Sequence, residues 1–317
     1  MRQRTAWVLS NGLIGMDNQS IGLAEALGLN YAVKRCQPTS PWKHLPAELC
    51  WRPMQHLTQD SDSLQPPWPD VVIGTGRLNV ALSIAIKRAS SGLTQNIRIQ
   101  HPHVALRHFD AIVAPEHDHC RGAQVISTLG AVNRVTQAQL NAAAAQFAAR
   151  LAHLPRPITT VLLGGSNSAY RVDVAFTQRM AHLLMQSLRE QGGSVLMTPS
   201  RRTDAAAITP MAAVLKRYPG VIWNGTGDNP YFSFLAVADR IVVTADSVNM
   251  ASEACFTGKP VFVHGLTGEG NKFERFHRGL LQRGCTRPLM DRFSHWEYQP
   301  LAETDRAAQH ITRILGW

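Results

Sequence analysis

Between Ala238 and His264 the chain reads ADRIVVTADSVNMASEACFTGKPVFVH, the stretch with the highest density of side chains suited to chemistry. Asp246, Ser247, Asn249 and Met250 fall between a β-branched run (Arg240–Thr244) and a helical pattern (Met250–Thr257). A polar loop that opens a helix presents hydroxyls, amides and free backbone N–H groups, which suit a phosphate. Glu253 follows one helical turn later and brings a carboxylate to the same crevice. Gly258 ends the helix and Pro260 opens a second β-branched run to His264. Apolar runs without alternation indicate parallel strands covered on both faces, and ligands lie beyond the carboxyl ends of such strands. The stretch therefore reads as a pocket for a nucleotide or a nucleotide-sugar.

Five further loops follow strand patterns in the same way. Gly164-Gly165-Ser166 follows an apolar run, and Ser10–Gln19 and Gly74-Thr75-Gly76-Arg77 each stand between a strand pattern and a helix pattern. Glycine turns of this kind leave backbone N–H groups free for an anion. Ser200, Arg201 and Arg202 also follow a strand pattern, and paired guanidinium forks suit a diphosphate. Asn229 and Tyr231, in the loop after Val221–Trp223, suit a base or ribose. No loop completes G-x-G-x-x-G or G-x-x-x-x-G-K-[ST]. For proton transfer to or from an acceptor hydroxyl the candidates are Asp17 and the cluster Glu116, His117 and Asp118. His101 and His103 lie on a separate loop, so their spacing with that cluster does not make a metal site, and none is expected. Gly164–Ser168 is G-G-S-N-S, not the nucleophile elbow of a serine hydrolase. A nucleotide-sugar epimerase, taken to need a bound dinucleotide, is disfavoured by the missing fingerprint and the lack of a Tyr-x-x-x-Lys pair.

These loops need elements to hold them. In the first half, strand patterns at Ala6–Leu9, Asp70–Ile73, Ile97–Gln100 and Ala111–Val113 alternate with helix patterns at Asn18–Leu27 and Leu78–Ala89, around a Pro- and Trp-rich loop region at 37–69. After a helix at Thr136–Ala152 and the linker Leu154–Pro157 the cycle restarts. It gives strands at Thr159–Leu163, Val195–Thr198 and Val221–Trp223, helices at Val174–Gln191 and Met211–Tyr218, and a closing helix at Leu301–Leu315. The fold class expected is α/β, with two Rossmann-like parallel-sheet domains (1–154 and 155–317) facing across a cleft and the last helix packing back on the first domain.

The 317 residues suffice for two cores, and 44% hydrophobic with 17% charged content is that of a globular protein. No apolar run reaches the ~18 residues of a membrane span. The five cysteines form no C-x-x-C pair, which fits a reducing compartment. The formal charge is +10, with 14 basic against 9 acidic residues in 1–155 and 18 against 13 in 156–317. Arginine supplies 26 of the 32 basic residues, which suits phosphate or an anionic membrane face. No basic run with interleaved aromatics occurs, so nucleic acid is not expected as a partner. The expected location is the cytoplasm, peripheral to the inner membrane.

The set Gly164-Gly165-Ser166, Thr244–Ser247, Ser252-Glu253 and Gly258–Val261 resembles the donor half of GT-B glycosyltransferases, in particular those that make the lipid-linked peptidoglycan precursor. That resemblance implies that Glu253 holds ribose hydroxyls and that the preceding loop holds phosphate. It also implies a nucleotide-sugar as donor substrate with no cofactor, and a lipid-linked acceptor. Those enzymes carry a His after their first glycines, where this chain has Met16-Asp17, so their base is not transferred. Over nearly the whole chain, Gly15–Gln19, Gly74–Arg77, Pro115–Asp118, Gly164–Ser166, Ser200–Arg202 and Asp246–Met250 resemble the elongated-mitochondria family. Its plant member recruits a dynamin-related GTPase, which implies a second reading: a non-enzymatic scaffold with a dynamin-like or membrane-associated partner.

Overall fold

The computed structural model describes residues 2–266 and 272–317. Within them the chain forms two compact units, Met1–Arg134 with Ala302–Trp317, and Val135–Leu301. Each is built on a six-stranded, wholly parallel sheet.

In the first unit the strands are β1 (Thr5–Ser10), β2 (Asn30–Arg35), β3 (Val71–Thr75), β4 (Gln95–Ile99), β5 (Ala111–Pro115) and β6 (Val125–Thr128), in the order β2-β1-β3-β4-β5-β6. The central β3, VVIGT, is buried at every position, whereas the edge strand β2, NYAVKR, is largely exposed. That contrast explains why β2 was not anticipated: an edge strand facing solvent needs no apolar run. β6 is the opposite edge and was missed for the same reason. Helix α1 spans Ile14–Ala26, starting four residues before the expected Asn18, and α2 spans Val80–Ala89. The last helix, α9 (Glu303–Leu315), buries Ala307, Ala308 and Ile311 in the same core as Val8, Ile73 and Ile97. Its first turn is fixed by Glu303, whose carboxylate accepts from the Leu129 N–H at 3.0 Å, and by Thr304, whose hydroxyl oxygen accepts from the Asn133 N–H at 2.8 Å.

The second unit has β7 (Ile158–Leu163), β8 (Ser194–Pro199), β9 (Gly220–Ile222), β10 (Arg240–Thr244), β11 (Val261–His264) and β12 (Thr286–Pro288), in the order β12-β11-β10-β7-β8-β9. Read from β7 outward, this is the doubly wound nucleotide-binding order. Its helices are α3 (Gln137–Leu151), α4 (Val174–Gln191), α5 (Ala205–Leu215), α6 (Tyr231–Val237), α7 (Val248–Phe256) and α8 (Lys272–Gln282). Helix α4 runs between the Asp173 cap, which accepts from the Phe176 N–H at 2.9 Å, and Gly192 at φ +66°. Helix α5 begins six residues before the expected Met211. Asp204 caps it, and Pro210 is carried inside it. The sequence patterns assign no element to α8 or β12, and they place Tyr231, the first residue of α6, in a strand-end loop.

The division falls at 134/135 rather than 154/155, so α3 belongs with the second unit. The reason is packing: Phe147, Leu151 and Leu154 share a core with Ile158, Leu196 and Phe234. In each sheet the strand order reverses once, between β1 and β3 and between β7 and β10. These are the switch points at which parallel sheets open a crevice at their carboxyl edge.

Packing of α9 into the first core gives a direct expectation. Ile311→Ala should cost about 2–5 kcal/mol in urea melts; an unchanged midpoint would mean that the helix does not share that core.

Candidate functional site

At the switch point of the second sheet the ends of β7 and β10 meet, and the Asp246 carboxylate lies between them with no solvent exposure. One of its oxygens accepts from the Thr244 hydroxyl at 2.6 Å. The other accepts from the Gly165 N–H at 3.1 Å and from the Arg202 guanidinium at 3.3 Å. Burial raises its pKa, opposed by these donors. The Gly164 N–H is taken by the Thr244 hydroxyl at 2.8 Å. The two glycines are required for close approach: a Cβ on Gly164 would overlap the Asp246 carboxylate, and one on Gly165 would overlap the Arg202 backbone. In this arrangement both N–H groups donate within the protein, to the Thr244 hydroxyl and the Asp246 carboxylate.

Around this knot stand the other expected ligands of the second unit. Ser166 is exposed, and its hydroxyl accepts from the Val172 N–H at 3.0 Å. Ser200 accepts from the Arg202 N–H at 3.2 Å and pairs with Thr203, which in turn donates to the Gly164 carbonyl at 2.7 Å. The loop after β8 is thus tied to the loop after β7. Arg202 keeps half of its side chain in solvent, and Arg201 is exposed and forms no ion pair among the described residues. Ser247 is the N-cap of α7, accepting from the Met250 N–H at 3.3 Å, so the helix starts at Val248 rather than Met250. Asn249 and Met250 sit in its first turn, half-buried.

One turn on, Glu253 is only 7% exposed. Its carboxylate accepts a short hydrogen bond from the Tyr231 phenol. Burial pushes its pKa up to about 7, and the Tyr231 bond opposes this. Tyr231 is not a loop residue: it opens α6, where the Asn229 side chain accepts from its N–H at 3.0 Å. Asn229 itself is exposed. At the other end of α6, Lys259 donates to the Leu235 carbonyl at 2.9 Å and to that of Ala236, closing the helix terminus. The structure adds His277 of α8, whose Nε2 lies 2.8 Å from the Ala245 carbonyl, immediately before Asp246. No motif in the sequence marks it, and no element is assigned to its stretch in the sequence patterns.

The first unit carries the acid–base candidates on separate strand ends. Asp17 accepts from the Ser10 hydroxyl at 2.8 Å, and burial raises its pKa while Ser10 and Arg35 oppose. Asp118 accepts from the His101 N–H at 3.5 Å and lies 3.7 Å from His117 Nε2. Glu116 is exposed and lines an open hollow of 420 Å³ with His119 and Arg121. Asp17 follows β1 and the Glu116–Asp118 group follows β5, three strand spacings or roughly 14 Å apart, so they do not form one dyad. Between them lies Arg98, missed in the sequence because it is inside β4. It is 1% exposed and donates to the Gly74 and Gly76 carbonyls at 3.1 and 2.9 Å. Burial pulls its pKa down to about 9. Arg77 donates to the Lys43 carbonyl at 2.7 Å, toward the Pro- and Trp-rich segment. Among the described residues no cluster of His, Cys, Asp and Glu is suited to a metal ion.

A family model described as mitochondrial fission ELM1 matches residues 14–315. The chain belongs to that family. It is 30% identical to the mitochondrial fission protein ELM1 of Arabidopsis thaliana, over 99% of this chain and 92% of the relative. An uncharacterized protein of Rickettsia prowazekii is 25% identical, over 98% of each. Among solved structures, a UDP-GlcNAc 2-epimerase from Methanocaldococcus jannaschii superposes with a TM-score of 0.60 at 11% identity, covering 99% of both chains. MurG of Acinetobacter baumannii superposes with a TM-score of 0.51 at 12% identity, over 99% of this chain and 93% of that one. At such identities the likeness shows the fold: this ELM1-family chain is a GT-B-like protein of two Rossmann-like units.

Two outcomes follow from the geometry. Gly165→Ala should destabilise the protein by about 1–3 kcal/mol, read as a lowered urea midpoint, because a Cβ has no room beside Arg202. The second concerns pH. A native carboxyl with its pKa near 7 holds a proton that the unfolded chain releases near 4.5, so stability falls as pH rises through that window. Wild type should therefore lose on the order of 3 kcal/mol relative to Glu253→Gln between pH 4.5 and 7.5; parallel melting curves would contradict this.

Proposed function

We propose that this ELM1-family chain binds a nucleoside-diphosphate sugar at the β7/β10 switch point of its second unit, as a GT-B-like glycosyltransferase. The observation that carries this reading is the convergence there of a buried carboxylate, two arginines and a capped helix start. Glu253, already bonded to a phenolic hydroxyl, is placed to accept from ribose hydroxyls instead. Arg201, the half-exposed Arg202, Ser166, Ser200 and the first turn of α7 would hold the diphosphate. Such donors stabilise a departing diphosphate without a metal. Asp246 would act behind them, aiming Arg202. The solved neighbours whose names include UDP-GlcNAc support this ligand class on this fold.

Proton transfer would fall to Asp17, partly buried with a raised pKa, or to the Glu116–Asp118 group. The acceptor class implied by the sequence is a lipid-linked glycan. The neighbours include 2-epimerases, so the fold does not by itself select transfer over epimerisation. The epimerase reading, disfavoured in the sequence for want of a dinucleotide fingerprint, therefore stands beside transfer.

A second reading is favoured by one observation: the Gly164 and Gly165 amides are satisfied internally. A scaffold that kept the fold and recruits a dynamin-like or membrane-associated partner would need no phosphate cradle.

The two readings separate in a thermal-shift screen of UDP-, GDP-, ADP- and CMP-linked sugars. Ligand at a hundred times its dissociation constant stabilises by about 2.7 kcal/mol. One of the four classes should raise the melting temperature, and Glu253→Ala should weaken that ligand at least tenfold in calorimetry. Unchanged affinity would overturn the Glu253 assignment, and no shift with any of the four would leave the scaffold reading.

A further inference from the structure

The edge of the first sheet opposite Asp17 and Asp118, where the strands begin, gathers cations from three separate segments. Lys87 and Arg88 end α2, Arg107 and His108 precede β5, and Arg2 and Arg4 precede β1. Ile84, Lys87, Arg88, Ser91, Gly92, Arg107 and His108 line an open hollow of 300 Å³. The nearby carboxylates are already engaged. Asp110 accepts from Lys87 at 2.6 and 2.7 Å and from the Asn96 N–H, and Asp70 accepts from the Thr5 N–H and hydroxyl. Arg88 and Arg107 are exposed and form no ion pair among the described residues. The convergence of charge is felt at His108, whose pKa is lowered first by burial and then by Arg88, Arg107 and Lys87.

Cations at the end of α2 could be explained by the helix dipole alone. Two facts go beyond that account. Arg107 comes from a different segment, and Leu93, beside the hollow, is 84% exposed. Leu93 is not on a loose tip. The turn before it holds Ser91 at φ +54° and Gly92 at φ +80°. Its own N–H donates to the Ser90 carbonyl at 3.1 Å, and the hydroxyl of the next residue, Thr94, is buried against the Pro69 carbonyl at 2.8 Å. A large apolar side chain is thus held outward on the turn whose Ser91 and Gly92 line the same hollow as Arg88 and Arg107. Arg4 lies before β1, two strand spacings or about 10 Å along the same edge. Its guanidinium stacks over Trp317.

We propose that this edge is a docking surface for an anionic phospholipid bilayer, with Arg88, Arg107 and Arg4 over the phosphates and Leu93 inserted between headgroups. Guanidinium forks pair with phosphodiesters, and a fixed aliphatic side chain gains by leaving water at the acyl boundary. Nucleic acid would use the cations and gain nothing from Leu93. The docking does not depend on the nucleotide-sugar reading, and the candidate residues of the first unit remain on the opposite edge of the sheet.

The test is co-sedimentation of the full chain with vesicles of phosphatidylcholine alone or with 30% phosphatidylglycerol, where about a third of the headgroups carry the charge that basic residues seek. Wild type should partition onto the anionic vesicles at least tenfold better than onto the neutral ones, and salt should release it. Arg88→Glu with Arg107→Glu should remove tenfold or more of that binding, and Leu93→Ser should weaken it severalfold. The matched variant Arg189→Glu with Arg283→Glu changes two exposed arginines of the second unit and should bind as wild type. All are surface changes, and unchanged melting temperatures would confirm intact folds. Equal partition onto both vesicles, or equal loss in the matched variant, would overturn the proposal. So would wild-type binding by the Arg88/Arg107 variant, or no vesicle binding at all, as an acidic protein partner would give.

Discussion

A carboxylate sealed from water must be surrounded by donors or it will not stay charged. Asp246 meets that condition at the one point of the second sheet where the strand order reverses, and much else in the unit follows from it. Thr244 turns its hydroxyl inward to serve both Asp246 and the Gly164 amide. Gly164 and Gly165 carry no side chain because the carboxylate and the Arg202 backbone fill that space. Arg202 is drawn over the crevice while half of it stays in solvent. The loops after β7, β8 and β10 are therefore one hydrogen-bonded body.

Glu253 differs from Asp246 in a way that matters for chemistry. Asp246 is held by the Thr244 hydroxyl, the Gly165 amide and the Arg202 guanidinium, whereas Glu253 accepts from the Tyr231 hydroxyl. Tyr231 sits at the first position of α6, a helix closed at its far end by Lys259. One carboxylate thus ties three loops together, and the other bonds a single side-chain hydroxyl. Both lie within a single unit, so this arrangement follows from the packing of that unit alone.

The sequence made the central strands legible because they are buried on both faces: β3, β7 and β10 are unbroken β-branched or apolar runs. It concealed β2, β6 and β12, which lie at sheet edges and satisfy no apolar pattern. It also concealed α6, since Asn229 and Tyr231 read as part of a strand-end loop suited to a base or ribose, whereas Tyr231 opens a helix and Asn229 bonds its N–H. The strand-end loops were recognisable as glycine turns at the carboxyl ends of strands, yet what their glycines contact was not. A pair of glycines that donates to an anion and a pair that makes room for a carboxylate are spelled alike. Arg98 could not be found at all, because a buried guanidinium bonded to two carbonyls leaves no mark of partner or motif in the chain.

The claim on which the functional account rests is that a nucleoside-diphosphate sugar occupies the crevice organised by Asp246 and Glu253. Hydrogen exchange read by mass spectrometry, with and without saturating UDP-GlcNAc or whichever nucleotide-sugar stabilises the protein, tests it most directly. The account predicts slowed exchange in the peptides spanning 164–166, 200–202 and 246–253, with the first unit's amino edge unchanged. Protection confined to other peptides, from a ligand that demonstrably binds, would contradict it.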